Sequence, residues 1–475
     1  LLGLEGADGQ HGEAQQGSNE FHEGTPGTAA ANDGRRWQDG GAQRTPGDGE
    51  ISVGASFCRL GPNTRGIKLP EIVRTLRQAL ARVVPLLLIG AMPAAAQSGT
   101  VYDTTGLRVK RDFAEAQIKA LAEPYRGIFS PAGPQAGLFP IRSTGVSTAP
   151  IVAAAKGLLA SLSSAQLLRT QFDVNDPEWR RWSNVDNGIY VRQGVSLREM
   201  TPVQRRAANR LMQASLSARG LANSAAIMKT DQTLREINDD SLTFGEDLYF
   251  FTVMGTPSAT EPWGWQIDGH HLVINYFVLG DQVVMTPMFM GGEPAITTTG
   301  KYKGNRILQE EQNRGLAMYR TLSPMQRDQA TLAREKRAND IKLQADKDNA
   351  VMAYAGVPAS ALSATQQASL LDLIALYVGN MRDDHAKVKM DDVRAHLNDT
   401  HFAWVGAATD TSVFYYRIHS PVVLVEFDHQ RPVGTTSINT PGKPTRAHIH
   451  VVVRTPNGND YGKDLLAQHL RRSKH

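Results

Sequence analysis

Two stretches of strand-forming sequence, about 244–299 and 401–454, are each preceded by a long helix-forming stretch. This order leaves few folds open to the chain. In the first block Leu248–Met254, Trp263–Ile267, His271–Val278 and Val283–Thr286 are rich in aromatic and β-branched residues, and Gly280-Asp281 supplies a hairpin turn. The second block offers His401–Val405, Ser412–His419, Val422–His429 and Ala447–Arg454. Strands gathered in blocks, not alternating singly with helices, predict an α+β protein with a largely antiparallel sheet built from both blocks.

The helical stretches, about 110–235 and 305–398, contain four Ser/Thr-x-x-Gln strings: Ser163/Gln166, Thr201/Gln204, Ser323/Gln326 and Ser363/Gln366. Each fits a capping box, in which the hydroxyl caps the third helical amide and the glutamine returns to the cap amide. Pro202 and Pro324 stand at the first helical position, where a missing N–H costs nothing. The unequal spacing favours independent use of a good cap over an internal repeat. Arg327–Lys347, charged at short intervals, reads as a solvated helix face, and His385 and His396 read as surface residues. Leu370–Val378 reads as a buried helix, and Lys463–Arg472 as a last helix.

The first part of the chain reads differently. Residues 1–72 are rich in Gly, Gln, Asp and Pro without hydrophobic periodicity, and are expected to be a disordered leader outside the native protein. Arg74, Arg77 and Arg82, then Val83–Ile89, then Ala94-Ala95-Ala96 have the layout of a signal peptide over 73–96, with initiation near Val73 and a mature start at Gln97. The mature region, 97–475, is expected to be one α+β domain of one or two lobes, periplasmic or secreted, without a transmembrane segment after cleavage. Cys58 is the only cysteine and lies before that region, so thiolate zinc sites, iron–sulfur clusters and cysteine nucleophiles are excluded from it. A net charge of +4 gives no reason to expect nucleic acid as a partner.

Seven of the thirteen histidines fall in the two strand blocks. In Ala447–Arg454, alternation puts His448, His450 and Arg454 on one face, with the two imidazoles about 7 Å apart at Cα, a spacing that suits one metal ion. In Val422–His429, Glu426 and Asp428 share a face that is apolar at its start. One antiparallel register would set Glu426 opposite His450 and Asp428 opposite His448. The carboxylates would then ligate a metal, orient its ligands, do acid–base chemistry without one, or form a salt-bridged face. In Trp263–Leu272, Asp268-Gly269 reads as the turn, so His270 and His271 open a strand and point to opposite faces, and at most one reaches a given site. Trp263 and Trp265 are candidate pocket walls, with a core role as the alternative, and Tyr276 a further lining residue. Asp460 and Tyr461 precede a helix start suited to an anion or to simple capping, and His469 follows on that helix.

The strings WGWQIDGHHL, TPMFMGGEPA and HIHVVVRTPNGNDYGKDLLAQH, with WRRWSNVDNGIYVRQGVSLREM in the helical part, resemble the bacterial family called domain of unknown function 3500, over about 110–472. The resemblance implies an exported protein and carries no activity with it. From the residues, the expected function is a metal-dependent enzyme acting on a small molecule, with hydrolysis favoured. Zn, Fe or Mn would be held by His448 and His450 together with Glu426 or one of His270 and His271. Asp428 would be base or orienter, Arg454 the clamp on an anionic substrate group, Asp460 and Tyr461 further catalytic candidates, and Trp263, Trp265 and His469 substrate contacts. The alternative is a periplasmic binding protein for a small molecule or metal, without catalysis.

Overall fold

A computed structural model describes residues 104–472. The expected leader, signal peptide and Cys58 lie outside the described residues. The protein is α+β, with a large, mostly antiparallel sheet. None of the described helices is long and apolar enough to cross a membrane.

Helix α1 spans Thr104–Leu121. Then come α2 (Ala149–Ser161), α3 (Ser164–Thr170), β1 (Gln171–Phe172), β2 (Val195–Ser196), α4 (Pro202–Ser215) and α5 (Ala218–Asn238). Strands β3 (Tyr249–Met254), β4 (Trp263–Gly269), β5 (Leu272–Leu279), β6 (Gln282–Val284) and β7 (Met288–Gly292) follow. The same order then recurs: α6 (Gln309–Thr321), α7 (Pro324–Ala330), β8 (Thr331–Ala333), β9 (Val357–Pro358), α8 (Ala364–Val378), α9 (Asp383–Ala395), and strands β10 (His401–Gly406), β11 (Phe414–His419), β12 (Leu424–His429) and β13 (Ile449–Arg454). Helix α10 (Lys463–Arg472) ends the described chain.

The sheet order, β1-β3-β4-β5-β7-β13-β12-β11-β10-β8, has the same topology read from either edge. β1 runs parallel to β3 as β8 does to β10, while β2 and β9 pair antiparallel with those same strands. The registers correspond too: Gln266 faces Asn275 in the first half as Arg417 faces Glu426 in the second. The halves join where β7 meets β13, and the loops after α4 and α8 bridge Leu216 to Met381.

The topology is therefore that of an internal repeat. All four capping boxes form as expected. They are not independent, however, because within each half their glutamines bond one another: Gln204 Nε2 donates to Gln166 Oε1 at 2.8 Å, and Gln366 Nε2 to Gln326 Oε1 at 2.9 Å. Unequal loop insertions break the period in sequence and leave it intact in space.

The core is one apolar cluster: helices pack on the sheet face of Tyr416, and Phe277, Phe289, Trp179 and Tyr461 carry the cluster onto the opposite face. Aromatic ladders cross equivalent strands in both halves. Trp265 stacks between Phe251 and Tyr276 at 6.3 and 5.7 Å, and Tyr416 between Trp404 and Phe427 at 6.4 and 5.0 Å. Each such pair contributes about 0.5–1.5 kcal/mol beyond its buried area. Trp263 and Trp265 are both fully buried in this core, so they are not pocket walls.

The other face carries the polar residues and is covered by irregular chain. Here the expectation of a solvated helix over Arg327–Lys347 fails. Helix α7 ends at Ala330, and the chain beyond β8 crosses the sheet. Its amides at Asp340, Lys342 and Leu343 donate to Asp428 and Glu426. No apolar periodicity marked that stretch as helical. Of its charges Lys336 serves the buried surface by pairing with Asp428, where every carboxylate needs a partner, while Arg334, Glu335 and Arg337 stay exposed.

Candidate metal centre

The centre is assembled where the start of β13 passes the β4–β5 turn. His450 lies opposite Gly291 of β7, and His448 immediately precedes β13. The β4–β5 hairpin closes with Gly269 opposite Leu272, so His270 and His271 are the two turn residues. His271 adopts a left-handed φ of 65°. A residue with a Cβ is uncommon there, and the conformation turns its ring toward β13 instead of along a strand. The expectation that His270 and His271 open a strand on opposite faces is thus corrected. Gly269 is strand, and it is glycine because a Cβ would come within 2.3 Å of the Tyr249 ring.

The Nε2 atoms of His271, His448 and His450 converge. His448 Nε2 lies 2.9 Å from that of His450 and 3.3 Å from that of His271. All three residues are buried, and their ligand atoms fit around one metal ion. His448 Nδ1 stands 2.7 Å from the carbonyl oxygen of Arg431. A carbonyl can only accept, so Nδ1 holds the proton and Nε2 presents a lone pair to its neighbours. Burial lowers the pKa of all three imidazoles, and for His271 the nearby charges of His270, His450, His448 and Lys110 lower it further. Neutral imidazole is the form a metal requires.

A shell of acids surrounds these rings. Glu293 Oε2 is 3.5 Å from His448 Nδ1. Burial pushes the Glu293 carboxyl up, but His448, the Thr435 hydroxyl and the amides of Gly434 and Val433 outweigh it and hold it below the usual range. His270 stacks on His271 at 3.8 Å, with its Nδ1 2.6 Å from Asp231 of α5 and its Nε2 3.7 Å from Asp186. Lys110 of α1 pairs with Asp186. Gly291 is required by the packing, because a Cβ there would meet Ile449 O at 2.7 Å and the rings of His450 and His271 at 3.0 and 3.3 Å.

The remaining sequence candidates lie elsewhere. The register sets Asp428 opposite His450 and Glu426 opposite Val452, two residues away from the anticipated pairing. Glu426 accepts from the Tyr415 hydroxyl at 2.7 Å and from the Lys342 and Leu343 amides, and is not among the grouped ligand atoms. Asp428 shares the face of His450 and pairs with Lys336 at 2.9 Å, and burial pushes its pKa up to about 7. Arg454 is fully buried, with Nε on Asp460 at 2.8 Å and Nη2 on Asp348 at 2.6 Å. Asp348 also pairs with Arg180 at 2.8 Å and accepts from the Tyr461 hydroxyl at 2.9 Å. Arg454, Asp460 and Tyr461 thus belong to a buried brace in which the guanidinium is already engaged. His469 of α10 lies 3.3 Å from Glu261, away from the centre. Sequence reading missed Glu293, Asp231, Asp186, Lys110 and Gly291. Glu293 and Gly291 lie in the TPMFMGGEPA string, whose adjacent glycines were the one available signal.

The chain belongs to the family described as protein of unknown function (DUF3500), whose model matches residues 144–463. That span holds all three clustered histidines. Searches of curated proteins and of solved structures find no match.

Proposed function

We propose that this family member is a metal-dependent enzyme in which His271, His448 and His450 hold one divalent cation and hydrolysis is the favoured reaction. The observation that carries the reading is the convergence of three buried Nε2 atoms, one of them fixed as a lone pair by the Arg431 carbonyl. Three neutral imidazoles suit zinc first, and iron or manganese less well. Such an ion would supply Lewis acidity and acidify a water at a position left open by the protein. The chain's own contribution is orientation: Arg431 and Glu293 fix the His448 ring, and the His270 ring braces His271 through Asp231. Asp428, on the same face as His450, is a candidate for moving a proton. We infer export to the periplasm or medium from the sequence at 73–96.

The test is elemental analysis of protein purified without chelator. About one ion per chain is expected, and none after His448→Ala with His450→Ala. A metal-free wild type that also fails to take up zinc on titration overturns the reading. Ester, amide and phosphoester substrates assayed with and without chelator then address catalysis. Stoichiometric metal without turnover would make this a metal-binding protein, the alternative raised from the sequence.

A further inference from the structure

On the helix-packed side of the sheet, away from the histidines, α9, β6 and segment 138–144 enclose a cavity of about 110 Å³. Phe139, Met285, Val378, Met381, Val453 and Leu465 give it an apolar wall. Arg142, Asp392 and several neutral polar residues also line it, and two polar side chains stand one helical turn apart on α9: His385 and Lys389. His385, expected at the surface, is 2% exposed, and its Nε2 has no hydrogen-bond partner among the described residues. Lys389 Nζ donates to the Val422 carbonyl at 2.7 Å, which leaves two of its protons for a ligand, while Asp392 and Asp460 offset its buried charge only in part.

The neighbouring acids are engaged. Asp392 pairs with Arg142 at 2.9 Å, Asp460 with Arg454, and Asp384 with Arg382. Asp281, on the turn before β6, accepts from Ser143 and from the amides of Thr144 and Gly145. An apolar chamber with one ammonium and one unsatisfied imidazole is costly without a matching anion.

We propose that this cavity binds a small amphipathic carboxylate, a short-chain or aromatic acid, with its oxygens on Lys389 and His385 and its hydrocarbon against the apolar wall. Lys389 and His385 are two adjacent donors that match the two oxygens of a carboxylate, and the carboxylate of Asp392 on the same lining disfavours a more highly charged phosphate. The apolar wall rewards a hydrocarbon tail and disfavours a sugar or a free inorganic anion.

The test compares hexanoate with 1-hexanol by calorimetry. The two probes share a tail and differ in the head. The wild type is expected to bind hexanoate about tenfold or more tightly than the alcohol, the increment of a charge-assisted hydrogen bond. Lys389→Met is expected to abolish that preference and keep hexanol binding. The preference should survive His448→Ala with His450→Ala, which separates this cavity from the metal centre. Equal affinities, no binding of either probe, or a preference that persists in Lys389→Met overturns the proposal. Should Lys389→Met fail to fold, the wild-type ratio and the His385 ring shift on hexanoate binding, read by NMR, decide it. An unmoved ring counts against.

Discussion

The two β-hairpins that flank the middle of the sheet occupy equivalent places and do different things. The β4–β5 connection is a tight two-residue turn made of His270 and His271, and it supplies His271 to the candidate metal centre. The β11–β12 connection, residues 420–423, meets the cavity instead: the Val422 carbonyl accepts from Lys389 and Val423 lines the wall. The lesson is that the repeated frame sets where a turn lies, and the residues on it set the chemistry. The histidines divide by what their neighbours leave them. In the second half, His429 has both nitrogens used: Nδ1 accepts from the Phe414 amide at 2.9 Å and Nε2 donates to Gln312 at 2.9 Å. A ring so satisfied has no lone pair to offer, whereas the Nε2 of His448 has one.

The largest effect should come from exchanging these two kinds of histidine. His450→Ala should remove bound metal altogether, whereas His429→Gln should leave metal content unchanged and cost roughly 2–3 kcal/mol of stability in denaturant unfolding. Metal loss in the second variant would end the distinction between the two kinds of histidine.

Acid should act next. Burial pushes His429 and His419 down to about 3, so both stay neutral in the folded protein. Below about 6.5 the unfolded chain takes up protons that the native state refuses, so stability falls from there toward pH 3. At pH 4 the effect should be on the order of 3 kcal/mol for His429, and the unfolding curve of His429→Gln should lose that part of the pH slope.

Smaller effects belong to the shell. Glu293→Gln should weaken metal affinity about 10–100-fold, because it loosens the ring it orients, while stoichiometry at saturating metal stays at one. Gly291→Ala should act in the same direction by pushing on His450 and His271. Smallest is Lys389. Burial lowers its pKa to about 8, so its charge is a burden below that pH. Wild-type stability should rise as pH climbs from 8 toward the ordinary lysine value, and Lys389→Met should flatten that rise, by on the order of 1–2 kcal/mol after allowance for partial exposure.

The fold class, the four caps and the His448/His450 pair were legible because each rests on local rules: strand alternation, reciprocal capping and period-two spacing. What escaped depended on contacts between distant segments. Gly269 resembled a turn glycine, but the Tyr249 ring explains it, and so the turn moved by two residues and His271 joined the site. The strand register next to His450 was hidden because the long loop after His429 does not fix it. The partners of Glu426 were hidden because Lys342 and Leu343 contribute amides, which any sequence could supply.

The mirrored strand order also bears on solubility. Two fragments patch the outer side of β3, with β1 covering Val253–Met254 and β2 covering Phe250–Phe251. β8 and β9 do the same for β10. The outermost strands are therefore two and three residues long. Among the described residues neither margin presents an extended row of free amides on which a neighbouring molecule could add a strand, which guards a sheet this wide against edge-to-edge aggregation.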